Sequence, residues 1–387
     1  MKRFLKYIAL AVAAIFTMVA GYLADNAPVF IPDSMNIFSW TEYGIRCICD
    51  DEEEHYEDAL FINTAYDKDL ARVQSYESDE ILGNGVVTDR NKLCRLLHTL
   101  DSIGNYRLIF LDIRFEKEYT TPYDSALFAQ ILSTPRIIVA HHSNVNIADS
   151  SLLENTAYND YYSTIVATNF TRYQYLQSGG NHSVALTMHN MLNKKDIIKH
   201  WGGLYYTDEE GCLCKNSIFI TNIKDFSHQI DDNEELRWYN MGKDLQYLTS
   251  EDFSNLIKDK LIFICNMVSD THDTFAGMTP GAVITYKAYK ILEKGKHRIG
   301  RMMVITSILL FVLYFVIGYF TINRKKVLPH FKSKTVNFII SFIGWGLLLK
   351  LISISAYMFL GQSFNIFVPT LVLSTTSLYN RYKYYED

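Results

Sequence analysis

The chain has 387 residues and a net charge of −5 at pH 7; 49% of its residues are hydrophobic and 20% are charged. This balance excludes a protein that binds nucleic acid through a strongly basic surface, and it leaves enough apolar material for one large core. The sequence contains no nucleophile-elbow, zinc-protease or phosphate-loop motif, so those enzyme classes are not indicated.

The first predicted element is an apolar run at residues 4–22, which follows Lys2 and Arg3. Its length is close to the ~20 residues that a helix needs to cross the hydrocarbon core of a bilayer. A basic start and an apolar stretch also fit a secretory signal peptide. No clear small-x-small cleavage site precedes Asp25, which favours an uncleaved anchor at residues 1–25.

Residues 26–300 alternate strand-like and helix-like patterns. Short runs rich in Ile, Val and Phe predict buried strands at 60–63, 108–113, 136–140, 164–168, 217–221 and 261–267. Other stretches predict helices at 88–103, 125–132, 184–192, 251–257 and 282–292, the first capped by Thr88 or Asp89. Segments 173–183 and 222–240 indicate loops. The alternation predicts an α/β domain with a mostly parallel sheet covered by helices.

Two Cys-x-Cys pairs, Cys47 with Cys49 and Cys212 with Cys214, stand far apart in the domain. An oxidising compartment would permit a disulfide bridge between the pairs, and free thiols are the other interpretation. Zinc is not indicated, because the spacing within each pair is shorter than the usual zinc-ligand spacing.

Polar residues directly follow several predicted strands. Ligands of open parallel sheets bind outside the carboxyl ends of the strands, so these residues are candidates for a binding site. They are Asp67, Asp69, Asp112, Glu116, His141, His142, Asp270, His272 and Asp273. Carboxylates and imidazoles at one edge suit a divalent cation, or a cationic or polyhydroxyl ligand. A structural role stays open for each of them, because Asp and His after strands also cap helices and turns.

Several short motifs follow one another in a fixed order. They are Val-Thr-Asp-Arg at 87–90, Leu-Ile-Phe-Leu-Asp-Ile-Arg-Phe at 108–115, Asp-Ser-Ala-Leu-Phe at 124–128, Leu-Ile-Lys-Asp-Lys-Leu-Ile-Phe-Ile at 256–264, Asp-Thr-His-Asp-Thr-Phe at 270–275 and Thr-Pro-Gly-Ala at 279–282. In this order they resemble type 2 CHASE domains, the extracellular sensory modules associated with cyclases and histidine kinases. The resemblance implies a ligand-binding domain and adds Asp124 to the candidate ligand contacts. The chain departs from the family at Cys265, where the family tends to have glycine.

Three further apolar runs occupy residues 302–322, 338–360 and 364–379. Basic residues cluster before the first of the four runs, in the connector at 323–334, and after the last run. The positive-inside rule places these clusters on the cytoplasmic side. The sequence therefore predicts an integral protein of the plasma or inner membrane, with four transmembrane helices, cytoplasmic termini and an extracytoplasmic domain at 26–300. Residues 301–387 form three of the helices and a short tail.

Lys350 lies near the middle of the third predicted span. A charge in a membrane span is costly and often functional, so a role in helix packing or in contact with a partner protein is one interpretation. Snorkelling of the side chain to the membrane surface is the other.

Three functions fit these observations. The first is a membrane-anchored extracytoplasmic sensor that binds an unknown small-molecule or envelope ligand and passes a signal to a separate signalling protein. A separate partner is expected because no kinase or cyclase domain follows the last apolar run. The second is a metal-dependent hydrolase that uses the Asp and His residues at the strand ends, and the third is a structural envelope protein that binds other proteins. No catalytic residue and no cofactor is indicated.

Overall fold

The structure is a computed structural model. It describes residues 333–360, a few isolated positions near the two ends of the chain, and residues 56–300 except for 76–79, 143–145, 161–171, 178, 220–237 and 275–276.

Sixteen strands and six α-helices lie in the described residues. The strands are β1 (Ala59–Asn63), β2 (Lys68–Gln74), β3 (Ile81–Thr88), β4 (Leu108–Asp112), β5 (Tyr119–Thr120), β6 (Ile137–His141), β7 (Thr156–Tyr158), β8 (Arg172–Gln174), β9 (Ile197–His200), β10 (Tyr205–Asp208), β11 (Leu213–Cys214), β12 (Ser217–Phe219), β13 (Trp238–Asn240), β14 (Leu261–Cys265), β15 (Thr271–Thr274) and β16 (Gly277–Pro280). The helices are α1 (Arg90–Ile103), α2 (Asp124–Ser133), α3 (Val184–Asn193), α4 (Ser250–Ile257), α5 (Gly281–Glu293) and α6 (Lys334–Leu360).

The centre of the domain is a six-stranded, wholly parallel sheet with the order β13-β1-β14-β4-β6-β7. Side chains alternate between its two faces. Phe61, Phe110 and Phe263 point to the face covered by α3 and α5. Ile62 and Ile264 point to the opposite face, which α1, α2 and α4 cover. Because both faces are buried, the strands are almost continuously apolar, and the predicted α/β fold with a parallel sheet is confirmed.

The five helices predicted in the domain are all present, with ends within two residues of the predicted ones. Helix α1 shows why its ends are readable from sequence. The Asp89 side chain accepts a hydrogen bond from the backbone N–H of Lys92, as an N-cap does. Gly104 follows the last turn in the left-handed region, with φ of 66°, a conformation that favours glycine.

Four predicted strands, at 60–63, 108–113, 136–140 and 261–267, correspond to β1, β4, β6 and β14. The run at 217–221 forms β12, but this strand pairs antiparallel with β8 outside the main sheet. The predicted strand at 164–168 lies outside the described residues. Strands β7, β8 and β13 have three residues each, too few to give an apolar pattern, and β8 and β13 fall in segments predicted as loops.

Strand β14 lies between β1 and β4, although it is the last of the six strands of this sheet along the chain. Its register pairs Cys265 with Asp112 on one side and with Asn63 on the other. The loop that follows β14 is therefore placed beside the ends of β1 and β4, and the carboxyl ends of all three strands meet at one edge of the sheet.

The Asn63 side chain joins the ends of three strands. It is fully buried, and its Oδ1 accepts hydrogen bonds from the backbone N–H groups of Ala65 (3.0 Å) and Met267 (3.1 Å). Its Nδ2 donates to Oδ1 of Asn240, 2.9 Å away, at the end of β13. One buried amide thus holds the carboxyl edges of β1, β13 and β14 in fixed relative positions.

The transmembrane prediction is wrong for the part of the chain that the structure describes. None of the helices described there combines the length and the apolar character that a membrane span requires. The longest, α6, coincides with the third predicted span, and it places Asn337, Ser341 and Lys350 in buried positions. The cytoplasmic termini, the extracytoplasmic domain and the integral-membrane localisation were derived from the four spans, so these predictions are wrong for the same reason. The role of Lys350 in helix packing or in contact with a partner stays a prediction.

The apolar runs at 4–22, 302–322 and 364–379 lie outside the described residues, apart from isolated positions. The domain boundaries at residues 25 and 300 stay predictions.

Replacing Asn63 by alanine is expected to lower the free energy of unfolding by about 2–4 kcal/mol, because two buried N–H groups and the Asn240 side chain lose their partner. Urea denaturation followed by circular dichroism measures the change. Asn190→Ala is the matched control. Among the described contacts, this partly buried side-chain amide makes one hydrogen bond, which it donates to the Asp196 carboxylate. Its expected loss is below about 1 kcal/mol. Similar decreases in the free energy of unfolding for both variants would show that the Asn63 side chain does not hold the three strands together.

Candidate functional site

A cleft of about 340 Å³ opens at the carboxyl edge of the sheet, between the ends of β1, β4 and β14 and the β2–β3 hairpin. Its charged and titratable lining residues are Lys68, Asp112, Arg114, Glu116, His142 and Asp270. The remaining polar lining side chains are Thr64, Thr88, Tyr119, Asn266 and Ser269. Cavities of this size hold small molecules, and this one is lined mainly by polar groups.

Asp112 is the last residue of β4 and the most constrained carboxylate of the cleft. Its Oδ1 accepts a hydrogen bond from Nδ2 of Asn159, 3.1 Å away. Asn159 is buried, and its Oδ1 lies 3.5 Å from the hydroxyl of Thr285 on α5. The second carboxylate oxygen, Oδ2, is buried and has no hydrogen-bond partner among the described residues. The side chain is thus fixed in orientation with one acceptor left over.

Thr64 provides a second unpartnered polar group in the same cleft. This residue follows β1, is 1% exposed, and lines the cleft with Asp112. Its hydroxyl oxygen is buried and has no partner in the described part of the chain. Buried polar groups in native proteins nearly always have partners, and each exception calls for an explanation such as a ligand or an ordered water. Among the described residues, two such exceptions belong to residues that line the same cleft.

Burial raises the pKa of Asp112 to about 7, and the negative charge of Asp270 adds to the effect. The hydrogen bond from Asn159 and the charge of Arg114 act in the opposite direction but are weaker. Near neutral pH this carboxyl group is therefore about half protonated. A raised carboxyl pKa in a cleft is a common property of functional sites, because the group gains from any cation that approaches it.

Asp270 ends the loop after β14 and is held by its backbone. Its carbonyl oxygen accepts a hydrogen bond from the N–H of Gly281 at 3.0 Å, and its own N–H donates to the carbonyl of Asn266 at 3.3 Å. Its carboxylate lies 3.8 Å from Nε2 of His272. A Cβ at position 281 would lie 3.2 Å from the His272 ring, so the glycine permits this close approach.

Of the sequence-predicted residues, the structure brings Asp112, Glu116, His142 and Asp270 together in the cleft. His142 is 3.1 Å from a carboxylate oxygen of Asp160. His272 stands beside Asp270 but does not itself line the cleft, and burial lowers the pKa of its imidazole.

The other predicted residues do not line the cleft. The Asp67 carboxylate accepts one hydrogen bond from Nζ of Lys92, at 2.8 Å, and another from the backbone N–H of Gly242, at 2.9 Å. Asp124 pairs with the buried Arg90 at 2.7 Å at the start of α2. These two carboxylates stabilise the fold.

His141, Asp69 and Asp273 are likewise placed outside the cleft lining. The His141 ring packs edge-on against Tyr158, with the ring centroids 4.9 Å apart, and burial lowers the pKa of the imidazole. The Asp69 carboxylate accepts a hydrogen bond from the N–H of Leu70, and Asp273 is exposed on β15.

Sequence reasoning missed Thr64, Lys68, Arg114 and Asn159. Thr64 and Arg114 follow predicted strands directly or within two residues, the same signal that found Asp112. Asn159 follows β7, whose three residues give no strand pattern. Lys68 opens the hairpin that forms a wall of the cleft, and the hairpin was not predicted.

Metal-ligand geometry is not found in the cleft. Within the described ranges, one group of three ligand-type side chains has all its donor atoms within 4.8 Å of one another: Asp208, Glu210 and Cys212. Arg298 lies 2.8 Å from Asp208 and 3.2 Å from Glu210, so an ion pair accounts for this cluster. The predicted metal-dependent hydrolase therefore has no metal cluster at the Asp and His residues on which it was based.

The predicted disulfide stays a prediction. Cys212 is an exposed free thiol, and Cys214 is buried with its Sγ 3.4 Å from the carbonyl oxygen of Cys212. Cys47 and Cys49 lie outside the described residues. Cys265, which departs from the family pattern, is a buried free thiol in the core.

Comparisons with protein-family models, with curated proteins and with solved structures each found no match. The resemblance to type 2 CHASE domains accordingly stays a prediction from the sequence.

Asp112→Asn is expected to make the protein more stable at pH 8. The folded-state pKa of Asp112 is about 7 against 3.8 for the ordinary group, so the wild-type chain loses stability as pH rises from about 4 to about 7. Each pKa unit corresponds to about 1.4 kcal/mol, and with relaxation we expect a gain on the order of 2 kcal/mol at pH 8. Near pH 3 the expected advantage disappears, because Asp112 is then protonated in both states.

Thermal or urea unfolding of the two proteins between pH 3 and pH 8 measures this difference. Asp273→Asn makes the same charge change on an exposed residue, and its effect is expected to stay below about 0.5 kcal/mol. An Asp112→Asn variant that is less stable than wild type at pH 8 would contradict the assigned environment.

Proposed function

We propose that the described domain is a binding module for a ligand with an organic ammonium group, and that the cleft lined by Asp112 and Asp270 holds this charged group. The observation that carries the proposal is that two acidic residues, Asp112 and Asp270, line one cleft, and that Oδ2 of Asp112 has no hydrogen-bond partner among the described residues. A cation there relieves both the unmet acceptor and the repulsion between the two acidic groups.

An ammonium group suits these acceptors better than a metal ion does. It carries three N–H donors, and the acidic residues Asp112 and Asp270 line the cleft together with Thr64. A divalent cation such as Ca²⁺ requires six to eight oxygen ligands in one shell. The described side chains of the cleft do not form even a three-ligand group.

The remaining lining residues suit polar groups of the ligand that lie beside its ammonium group. Lys68 and Arg114 are exposed cations at the cleft, so they favour a ligand that also carries a hydroxyl or carboxylate oxygen. We propose further that binding is the input to a sensory or signal-coupling role with a separate signalling protein as the receiver. The resemblance to CHASE domains supports this second step.

The direct test is calorimetric titration with propylammonium and with its uncharged isostere, 1-propanol. We expect the ammonium ligand to bind at pH 8 and the alcohol to bind at least ten times more weakly. Binding is expected to weaken as pH falls from 8 to 6, because protonation of Asp112, with a pKa of about 7, removes the charge that the ligand meets.

Variants identify the groups that bind. Asp112→Asn and Asp270→Asn are each expected to weaken ammonium binding about tenfold or more, and Thr64→Val by a smaller factor since it removes one neutral acceptor. Asp273→Asn is the control and is expected to bind as wild type does. Equal affinity for ammonium and alcohol, or an equal loss in the Asp273 variant, would contradict the proposal.

A further inference from the structure

Strand β3 is an open edge of the small antiparallel sheet β3-β2-β5. On one side it pairs with β2 over nearly its whole length, from Ile81 to Thr88. On its other side no strand of the described residues pairs with it. Its outer N–H and C=O groups thus form a row of donors and acceptors that no described strand pairs with, which is a template for another extended chain.

This edge lacks the devices by which proteins normally protect such strands. The sequence of β3, Ile-Leu-Gly-Asn-Gly-Val-Val-Thr, contains no charged residue and no proline. Natural edges are usually blocked by lysine, proline, bulges or a covering loop, because open edges cause aggregation. The bulge in this hairpin lies between Val73 and Gln74, at the end of β2 remote from the cleft. Among the described residues, this edge is thus open to pairing with another extended chain.

One face of the hairpin carries an exposed apolar row. Leu82 and Val86 on β3 and Leu70 on β2, directly opposite Val86, are 66%, 67% and 64% exposed. The other face is covered, since the Tyr119 ring lies so close to Gly85 that a Cβ there would overlap it. Apolar residues at alternate positions of an added strand would pack beside this row.

The direction of β3 links its edge to the cleft. The strand runs from Ile81 toward Thr88, and its last three residues, 86–88, line the cleft with Asp112 and Asp270. The sheet is antiparallel throughout, so an added strand that continues the pattern runs the opposite way. Such a strand begins at the cleft, and its amino terminus lies where the carboxylates are.

We propose that the ligand is an extended peptide that adds antiparallel to β3 and places its free amino terminus in the cleft, between Asp112 and Asp270. The proposal rests on the proposed cation site, and it adds the ligand class and a second recognition element. Main-chain hydrogen bonds along the edge give affinity, while the terminal ammonium and alternate apolar side chains give specificity. Six residues in a strand span about 20 Å, enough to reach from the cleft past Leu82.

The test uses the full chain and the peptide Val-Thr-Val-Thr-Val-Thr with a dye on its carboxyl-terminal end, prepared with a free and with an acetylated amino terminus. Fluorescence anisotropy measures the affinity of each. We expect the free-amine peptide to bind at least tenfold more tightly than the acetylated one.

The Leu82→Lys variant is expected to bind the free-amine peptide about tenfold more weakly than wild type, since the substitution places a charge in the apolar row outside the cleft lining. Leu132→Lys, at a 43% exposed apolar residue of α2, is the matched control and is expected to change nothing.

The outcomes separate the two proposals. If propylammonium binds in a manner that depends on Asp112 but neither peptide binds, the peptide proposal is overturned and the cation site stands. If both peptides bind equally, the placement of the amino terminus is wrong. If the Leu82→Lys variant binds propylammonium as wild type does but no longer binds the peptide, the peptide binds along the edge of β3. If neither probe binds, both proposals fail.

Discussion

Burial of both faces of the parallel sheet is the constraint on which the rest of the domain depends. With helices on both sides, β1, β4 and β14 keep apolar side chains along almost their whole length. Polar chemistry is then possible only where the strands end. The buried amide of Asn63 fixes that edge, and the placement of β14 between β1 and β4 brings Asp270 near Asp112. The site is therefore a consequence of strand order.

The same burial raises the pKa of the Asp112 carboxyl group. A carboxylate at the end of an exposed strand would be hydrated and would have an ordinary pKa. At the end of β4, one carboxylate oxygen of Asp112 accepts a hydrogen bond from Asn159. The other is buried and has no hydrogen-bond donor among the described residues, and it lies next to the charge of Asp270. The unmet acceptor costs stability in the unliganded protein, and a bound cation recovers it. Such a trade of stability for binding is typical of functional sites.

Local patterns predicted the fold well because the main helices and strands follow short-range rules. Caps such as Asp89 and Gly104 and buried runs such as that of β14 are readable from a few neighbouring residues. The site was predicted in part. Asp112 and Asp270 were found from strand ends, whereas Asn159 follows a strand of only three residues. The strands of the β2–β3 hairpin are largely exposed and so give no buried apolar run. The membrane prediction failed for the described residues, where none of the helices is both long and apolar enough to cross a membrane; α6 carries the buried polar residues Asn337, Ser341 and Lys350.

The carboxyl group of Asp112 is the most direct reporter of the proposed site, and its titration can be followed by carbon-13 NMR with and without saturating propylammonium. In the free protein we expect a pKa of about 7, and a clear decrease when the ammonium ligand is bound, since a nearby cation favours the ionised form. An Asp112 carboxyl that titrates near the ordinary value of 3.8, and does not respond to the ligand, would contradict both the environment and the function assigned to it.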